Sequence, residues 1–203
     1  MLNRYFEATP ENIDFMYANA VLRNLYFAII SIESILFRPE FDIGLYHDEH
    51  TYYFFHLQSI LTACGNISNI FYNHGGFTGG KIASERSRRL RDTLGIYRSD
   101  YPLVFQKEAR NTNEHFDERY EEYDGRLGDY NLLYNNTDER MRQAILCNAH
   151  LRTYDVDNAR YITYDRSGRQ IVFDLHQLYN QLSTMRDHIM QHPLVDSGWV
   201  YTQ

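Results

Sequence analysis

The stretch NIDFMYANAVLRNLYFAIISIESILF, residues 12–37, decides how this chain folds. Its apolar side chains recur every three or four residues, which is the spacing of one helix face. Asn24 and Ser31 are the polar members of this row, and Pro39 follows it. Because proline lacks a backbone N–H and its ring clashes with the preceding turn, it ends the helix. The other members of the row are Ile13, Met16, Tyr17, Ala20, Val21, Ala28, Ile32 and Ile35.

Two further helical segments follow this stretch. A second long helix is predicted from about His50 to Tyr72, and the glycine-rich segment 73–80 breaks it. The segment Ile82–Leu94 is strongly basic and is predicted as a short helix that stops at Gly95, since glycine is favoured just after a helix C-terminus.

A fourth helix is predicted to start after Ser99 or Asp100, with Pro102 in its first turn, where a missing N–H has little effect. Its apolar residues again follow a helical period, which predicts a buried row on one face. This row consists of Phe105, Ala109, Thr112, Phe116, Tyr120 and Tyr123.

The C-terminal third changes from a helical to an alternating period. Residues 126–136 are predicted as a loop and 138–147 as a short helix. The segments 159–164 and 170–175 flank the polar turn 165–168 and predict a β-hairpin, and a last helix follows over about 175–191. The sequence therefore predicts one mainly α domain over 1–203, an up-and-down helical bundle over 12–124 with a hairpin and a helix appended over 125–203.

Composition excludes several classes of protein. With 43% hydrophobic and 23% charged residues, the chain of 203 residues is expected to fold rather than to stay disordered. The longest apolar run, Leu25–Phe37, is interrupted by polar residues and is shorter than the ~20 residues of a membrane span. We therefore expect a cytoplasmic protein with no membrane partner, in which Cys64 and Cys147 are free and buried.

The charges are unevenly distributed. The net charge of −7 argues against a protein that coats nucleic acid through a global positive field. A local basic cluster nevertheless lies on the third predicted helix, and it is followed by the acidic segment 108–124. The candidate RNA-binding residues of this cluster are Arg86, Arg88, Arg89 and Arg91.

Two patterns that suggest metal or phosphate binding are incomplete. Gly75, Gly80 and Lys81 match the frame of a phosphate-binding loop, but Ile82 replaces the serine or threonine that would hold magnesium. The segment His47–His50 offers histidines and carboxylates without a fourth ligand, and it is equally typical of a helix start. The sequence predicts no metal site and no cofactor.

The fourth predicted helix carries the one constellation with complete chemistry. Arg110, Asn111, Glu114 and His115 lie on or next to the face opposite the apolar row. An imidazole can transfer a proton to or from a ribose oxygen, and a guanidinium can stabilise charge on phosphate. The alternative interpretation is a solvated helix face on which Arg110 and Glu114 form an ordinary surface pair.

The segment RNTNEHFDERY, residues 110–120, resembles the R-x4-H motif of HEPN domains, a family of helical bundles. The asparagine after the arginine and the acidic residues after the histidine strengthen the resemblance, which covers about residues 12–124. It implies a homodimer in which two motif helices form one composite RNA cleft. It also implies a metal-independent ribonuclease of a toxin or phage-defence system, with an antitoxin or a neighbouring defence protein as partner. Other members of the family are non-catalytic interaction or nucleotide-binding modules.

Glu33 stands alone as a charge within the apolar run Leu25–Phe37. A buried carboxylate needs a partner. Two roles are open for it: orienting Arg110 or His115 across the bundle, or facing water at a helix margin.

Overall fold

A computed structural model describes residues 9–37, 48–72, 80–106, 130–146, 152–165 and 167–196 of the chain. Over these residues the protein is mainly helical, as predicted, and the predicted hairpin is part of a small four-stranded sheet. The helices are α1 (Pro10–Leu36), α2 (Glu49–Tyr72), α3 (Gly80–Leu94), α4 (Glu139–Leu146), α5 (Leu175–Met190) and α6 (Pro193–Asp196). The strands are β1 (Tyr130–Leu133), β2 (Arg152–Asp155), β3 (Arg160–Tyr164) and β4 (Gln170–Asp174).

Helices α1 and α2 form an antiparallel pair at the centre of the bundle. The Thr9 side chain caps α1 by accepting a hydrogen bond from the backbone N–H of Asn12. Asn66 of α2 donates to Asn24 of α1 over 3.0 Å, and the Tyr52 hydroxyl of α2 donates to the backbone carbonyl of Ser34 of α1. The two helices therefore run in opposite directions. The inner faces of both helices are buried in the main core cluster.

Among the described helices, α1 alone is long and apolar enough to cross a membrane by the criteria of length and composition. Its inner face, however, is part of the protein core: Ala18, Val21, Leu25 and Ile32 are completely buried against the rest of the bundle. The apolar inner face of α1 thus has an explanation in the packing of the domain.

The last helix, α5, belongs to this same core. Asp174 caps it by accepting a hydrogen bond from the N–H of Gln177. Leu178, Leu182 and Met185 are buried in the cluster that also contains α1 and α2. The helix predicted at 175–191 is confirmed, and it closes the bundle beside α1.

The predicted start of the fourth helix is wrong. Residues 102–105 form turns instead of an α-helix. The reason is a tertiary contact, since the N–H of Leu103 donates to the Gln181 side chain of α5 over 2.9 Å. Phe105 is buried and packs edge-on against Phe71 and Tyr72 at the end of α2. The remainder of that prediction, residues 107–123, lies outside the described residues.

The sheet has the order β1-β2-β3-β4, with β1 and β2 parallel and the other pairs antiparallel. The predicted hairpin is confirmed as β3 and β4, with Gly168 at φ +78° in the turn. The prediction of a loop over 126–136 is wrong for 130–133, which form β1. The ring of Tyr154 packs on Tyr53 of α2, so one face of the sheet covers the bundle.

Helix α4 confirms the short helix predicted at 138–147. The Tyr164 hydroxyl donates to the backbone carbonyl of Leu146, which ties the end of α4 to β3. Leu133 and Ile162 on the second face of the sheet are buried, although they lie outside the main core cluster.

Candidate functional site

The four predicted catalytic residues, Arg110, Asn111, Glu114 and His115, lie outside the described residues. The structure describes the chain up to Gln106 and again from Tyr130. What it does describe is the surface from which the motif segment departs and the arginines of α3 predicted to bind RNA. Each of these arginines has a defined environment.

Arg89 is tied to α1. Its guanidinium donates two hydrogen bonds of 2.7 Å to the two carboxylate oxygens of Asp14, of which one is made by Nε. Asp14 is only 5% exposed, and the Arg89 side chain is partly exposed. The hydrogen bonds that Arg89 donates to Asp14 raise the pKa of Arg89 above its ordinary value. This bidentate pair fixes α3 on α1.

Arg86 makes a second connection to the same helix. Its guanidinium lies 4.2 Å from the centre of the Tyr17 ring and donates a 2.7 Å hydrogen bond to the Tyr17 hydroxyl. A guanidinium over an aromatic face is a favourable cation–π contact. Arg86 and Arg89 therefore both have partners on α1, Tyr17 and Asp14.

Arg91 and Arg98 converge on Tyr72. Their guanidinium carbons lie 4.7 and 4.6 Å from the centre of the Tyr72 ring, and Arg91 also donates to the backbone carbonyl of Phe71. Phe105 contacts the same tyrosine ring, with 4.9 Å between the ring centres. We call Tyr72, Arg91, Arg98 and Phe105 the Tyr72 cluster. It places two permanent cations beside the last described turn before the motif segment.

Arg88 faces solvent and pairs with Asp92 over 3.3 Å on the outer surface of α3. An open depression of about 480 Å³ lies here, lined by Glu85, Arg88, Arg89, Asp92 and Thr93. Because its lining has two carboxylates beside two arginines, one of which is already paired with Asp14, the depression offers no concentrated positive charge to an anion.

The metal and phosphate patterns gain no support from the described residues. Within them, no group of three or more histidine, cysteine or carboxylate side chains comes close enough to hold a metal ion. His56 is buried and contacts the rings of Tyr52 and Phe55. Gly80 begins α3, and Lys81 is exposed with Glu85 3.9 Å away. His47 and Gly75 lie outside the described residues.

Glu33 has a partner that was not predicted. The hydroxyl of Tyr179 on α5 donates to the Glu33 carboxylate over 2.9 Å, and this hydrogen bond is the main cause that raises the pKa of Tyr179. The half-buried Glu33 thus connects α1 to α5. Glu33 as a lone charge in an apolar run was visible in the sequence, but its distance of 146 residues from Tyr179 concealed the partner.

Sequence reasoning also missed the Tyr72 cluster and the Asp14–Arg89 pair. The basic segment was the available signal, but the helical period alone does not say which arginine meets which ring or carboxylate. Comparisons with family models, curated proteins and solved structures found no match to this chain.

Proposed function

We propose that this chain is a metal-independent RNA-cleaving or RNA-binding protein of the cytoplasm that acts through Arg110 and His115. The observation that carries the proposal is the segment RNTNEHFDERY, which begins four residues after Gln106, the last described residue before it. The Tyr72 cluster supports it, because Arg91 and Arg98 lie beside that turn. Two cations at this place would attract RNA phosphate groups.

The chemistry follows from the residue types. The His115 imidazole removes the proton of a ribose 2′-hydroxyl or donates one to the leaving oxygen. The Arg110 guanidinium stabilises the negative charge on the phosphate, and Asn111 and Glu114 orient these two groups. The attacking oxygen belongs to the RNA itself, so the reaction needs no metal ion and cannot occur on DNA, which lacks the 2′-hydroxyl.

The wider proposal follows the family resemblance. Two copies of the chain would join their Arg110 and His115 pairs in one cleft. A protein of this kind would act as a toxin or in defence against phage, with an antitoxin or a neighbouring defence protein as its partner. These assignments rest on the motif.

A second candidate is a non-catalytic interaction or nucleotide-binding module. The observation in its favour is that Arg86 donates a hydrogen bond to Tyr17 and Arg89 donates two to Asp14, all within the chain. Two of the four predicted RNA-binding arginines thus stabilise the bundle. A module of this type would keep the fold and lack cleavage.

Incubation of the purified chain with single-stranded RNA, in the presence of a chelator, separates the two candidates. We expect products that end in 2′,3′-cyclic phosphate, and no cleavage of DNA. His115→Ala and Arg110→Ala should each reduce the rate by a factor of about 10² to 10⁴. The control is His176→Ala, which removes an exposed histidine of α5 and should leave the rate unchanged. Absence of cleavage by the wild type, or an equal rate for His115→Ala, would favour the interaction module.

A further inference from the structure

The outward face of α1 is apolar. Along a single stripe of this helix, Met16, Phe27, Ile30 and Phe37 are 66%, 55%, 57% and 62% exposed. Their spacing of 11, 3 and 7 residues keeps them on one side of the helix. The core of the described residues uses the opposite side of α1, and Phe37 contacts the Tyr179 ring of α5 at one end of the stripe. Met16, Phe27 and Ile30 remain more than half exposed among the described residues.

The neighbouring helix α2 has no charged residue beyond its first residue, Glu49. The sequence from His50 to Tyr72 contains no aspartate, glutamate, lysine or arginine. From residue 51 onward, the side chains that α2 exposes are polar but uncharged, apart from one phenylalanine: Thr51, Phe55, Gln58, Thr62, Asn66 and Asn69. We call these side chains and the apolar stripe of α1 the uncharged face.

A helix face that remains in water normally carries charged residues, and 23% of this chain is charged. The buried centre of a protein interface is instead depleted in charge and enriched in aromatic residues and methionine. The uncharged face has the composition of such a centre, and contiguous apolar patches of this kind mark interaction sites.

We propose that the uncharged face binds a second copy of this chain, with α1 of one copy antiparallel to α1 of the other. The two charges of α1 between residues 15 and 37 specify this arrangement. They are Arg23, exposed within the stripe, and Glu33, half-buried at its margin.

A two-fold axis level with Ala28, halfway between these two residues, places Arg23 of each copy opposite Glu33 of the other. The same axis sets Tyr26 of one copy opposite Ile30 of its partner. Each charge on the stripe is then neutralised, and aromatic and aliphatic side chains face each other. An isologous contact of this kind is the usual way in which identical chains form a dimer.

The stripe of α1 supplies more than half of the area of a standard contact. Met16, Tyr26, Phe27, Ile30 and Phe37 each expose about half of a side chain, which amounts to roughly 500 Å² in total if a large side chain offers about 150–250 Å². The uncharged residues of α2 extend the patch toward the ~800 Å² per partner of a standard interface.

The chemistry of the face favours protein over lipid. Gln58 presents an exposed amide, whose N–H and C=O groups would find no hydrogen-bond partners in hydrocarbon. A facing protein surface, or the water trapped at its rim, can pair with them. This proposal is independent of the ribonuclease proposal and holds whether or not the chain cleaves RNA.

Sedimentation equilibrium of the full chain tests the proposal. We expect the wild type to have at least twice the monomer mass of 24.2 kDa. F27E/I30E should halve the mass of the wild-type assembly, because it places four carboxylates in one apolar contact. Ile82→Glu is the matched control, since Ile82 is 78% exposed on α3, away from the uncharged face, and its replacement should leave the mass unchanged.

Circular dichroism verifies that the variants stay folded, and F27A/I30A, which adds no charge, replaces F27E/I30E if the latter loses its helical signal. A wild-type monomer at 100 µM, or an unchanged mass in a folded variant, would overturn the proposal. Sedimentation of a monomeric wild type with phosphatidylcholine vesicles would identify the face as a lipid-binding surface instead, and would also overturn it.

Discussion

Helix α3 and the uncharged face of α1 and α2 differ in how many charged residues they carry. On α3, Arg86 meets Tyr17, Arg89 meets Asp14 and Arg88 meets Asp92, so these arginines have partners within the chain. On the uncharged face, charges are almost absent, and large apolar side chains lie in solvent. The difference indicates that the bundle itself accounts for most of the charge on α3, whereas the proposed second copy of the chain accounts for the scarcity of charge on the uncharged face.

The largest effect is expected on α3. Arg89→Ala leaves the buried carboxylate of Asp14 without its two hydrogen bonds, and it should lower the free energy of unfolding by about 2–3 kcal/mol. Arg88→Ala removes the exposed pair with Asp92, four residues away, and should change the free energy of unfolding by no more than about 0.5 kcal/mol. Urea denaturation of both variants at one protein concentration measures the difference.

Equal losses in the two α3 variants would break the comparison, because they would mean that the Asp14–Arg89 pair does not anchor the helix. The double variant Asp14→Ala/Arg89→Ala tests whether these two side chains interact directly. If the two side chains act on each other, the double variant loses less stability than the two single losses added together.

A smaller effect is expected on the uncharged face. R23E sets like charges opposite each other across the proposed two-fold axis and should weaken self-association about tenfold, which corresponds to about 1.4 kcal/mol. R23E/E33R restores the opposite signs and should recover most of the affinity, despite the loss of the bond between Glu33 and Tyr179. Sedimentation velocity over a dilution series gives the dissociation constants. A double variant that associates more weakly than R23E would refute the antiparallel register.

The smallest effect is expected in the turn between β3 and β4, where the charged groups have partners within the chain, as they do on α3. Hydrogen bonds from the Ser167 hydroxyl, the backbone N–H groups of Ser167 and Arg169, and the Arg169 guanidinium lower the pKa of Asp165 from 3.8 to about 2. Because the pKa is lower in the folded state, this stabilisation is complete above about pH 4 and is lost as the pH falls through 2.

A carboxyl-carbon NMR titration should therefore give Asp165 a midpoint near 2, and Ser167→Ala should move the midpoint toward 3.8. A wild-type midpoint at 3.8 would show that the turn does not hold this carboxylate, and would weaken the view that charges away from the uncharged face are satisfied within the chain.

The sequence predicts the elements whose pattern is local. The periods of α1, α2 and α5, the glycine after α3 and the polar turn of the hairpin are all readable from neighbouring residues. Strand β1 is not, because its four residues become a strand only by pairing with β2, more than twenty residues further along the chain. The turn at 102–105 was missed for the same reason, since Gln181 of α5 holds it.

The candidate site likewise has one part that is readable from neighbouring residues and one part that depends on tertiary contacts. The residues Arg110 and His115 come from a short motif in the sequence, whereas the partners of the α3 arginines depend on how α3 packs on α1 and α2. The absence of charged residues from 50 to 72 was visible in the sequence, but its meaning depends on knowing which side of α2 faces out.

Chemical cross-linking near the proposed two-fold axis tests the uncharged face most directly. Cys147→Ser removes one thiol from the chain. Cys64 is buried, and burial raises the pKa of its thiol to about 12, so it stays unreactive at neutral pH. Phe27→Cys then adds one reactive thiol close to the axis. Paired helices pack about 8–10 Å apart, so a short bis-maleimide can join the two copies.

We expect Phe27→Cys to give a covalent dimer on a denaturing gel, and Ile82→Cys, a more exposed position on α3, to stay monomeric under the same conditions. A dimer yield from Phe27→Cys no higher than that from Ile82→Cys would contradict the claim that the uncharged face binds a second copy of the chain.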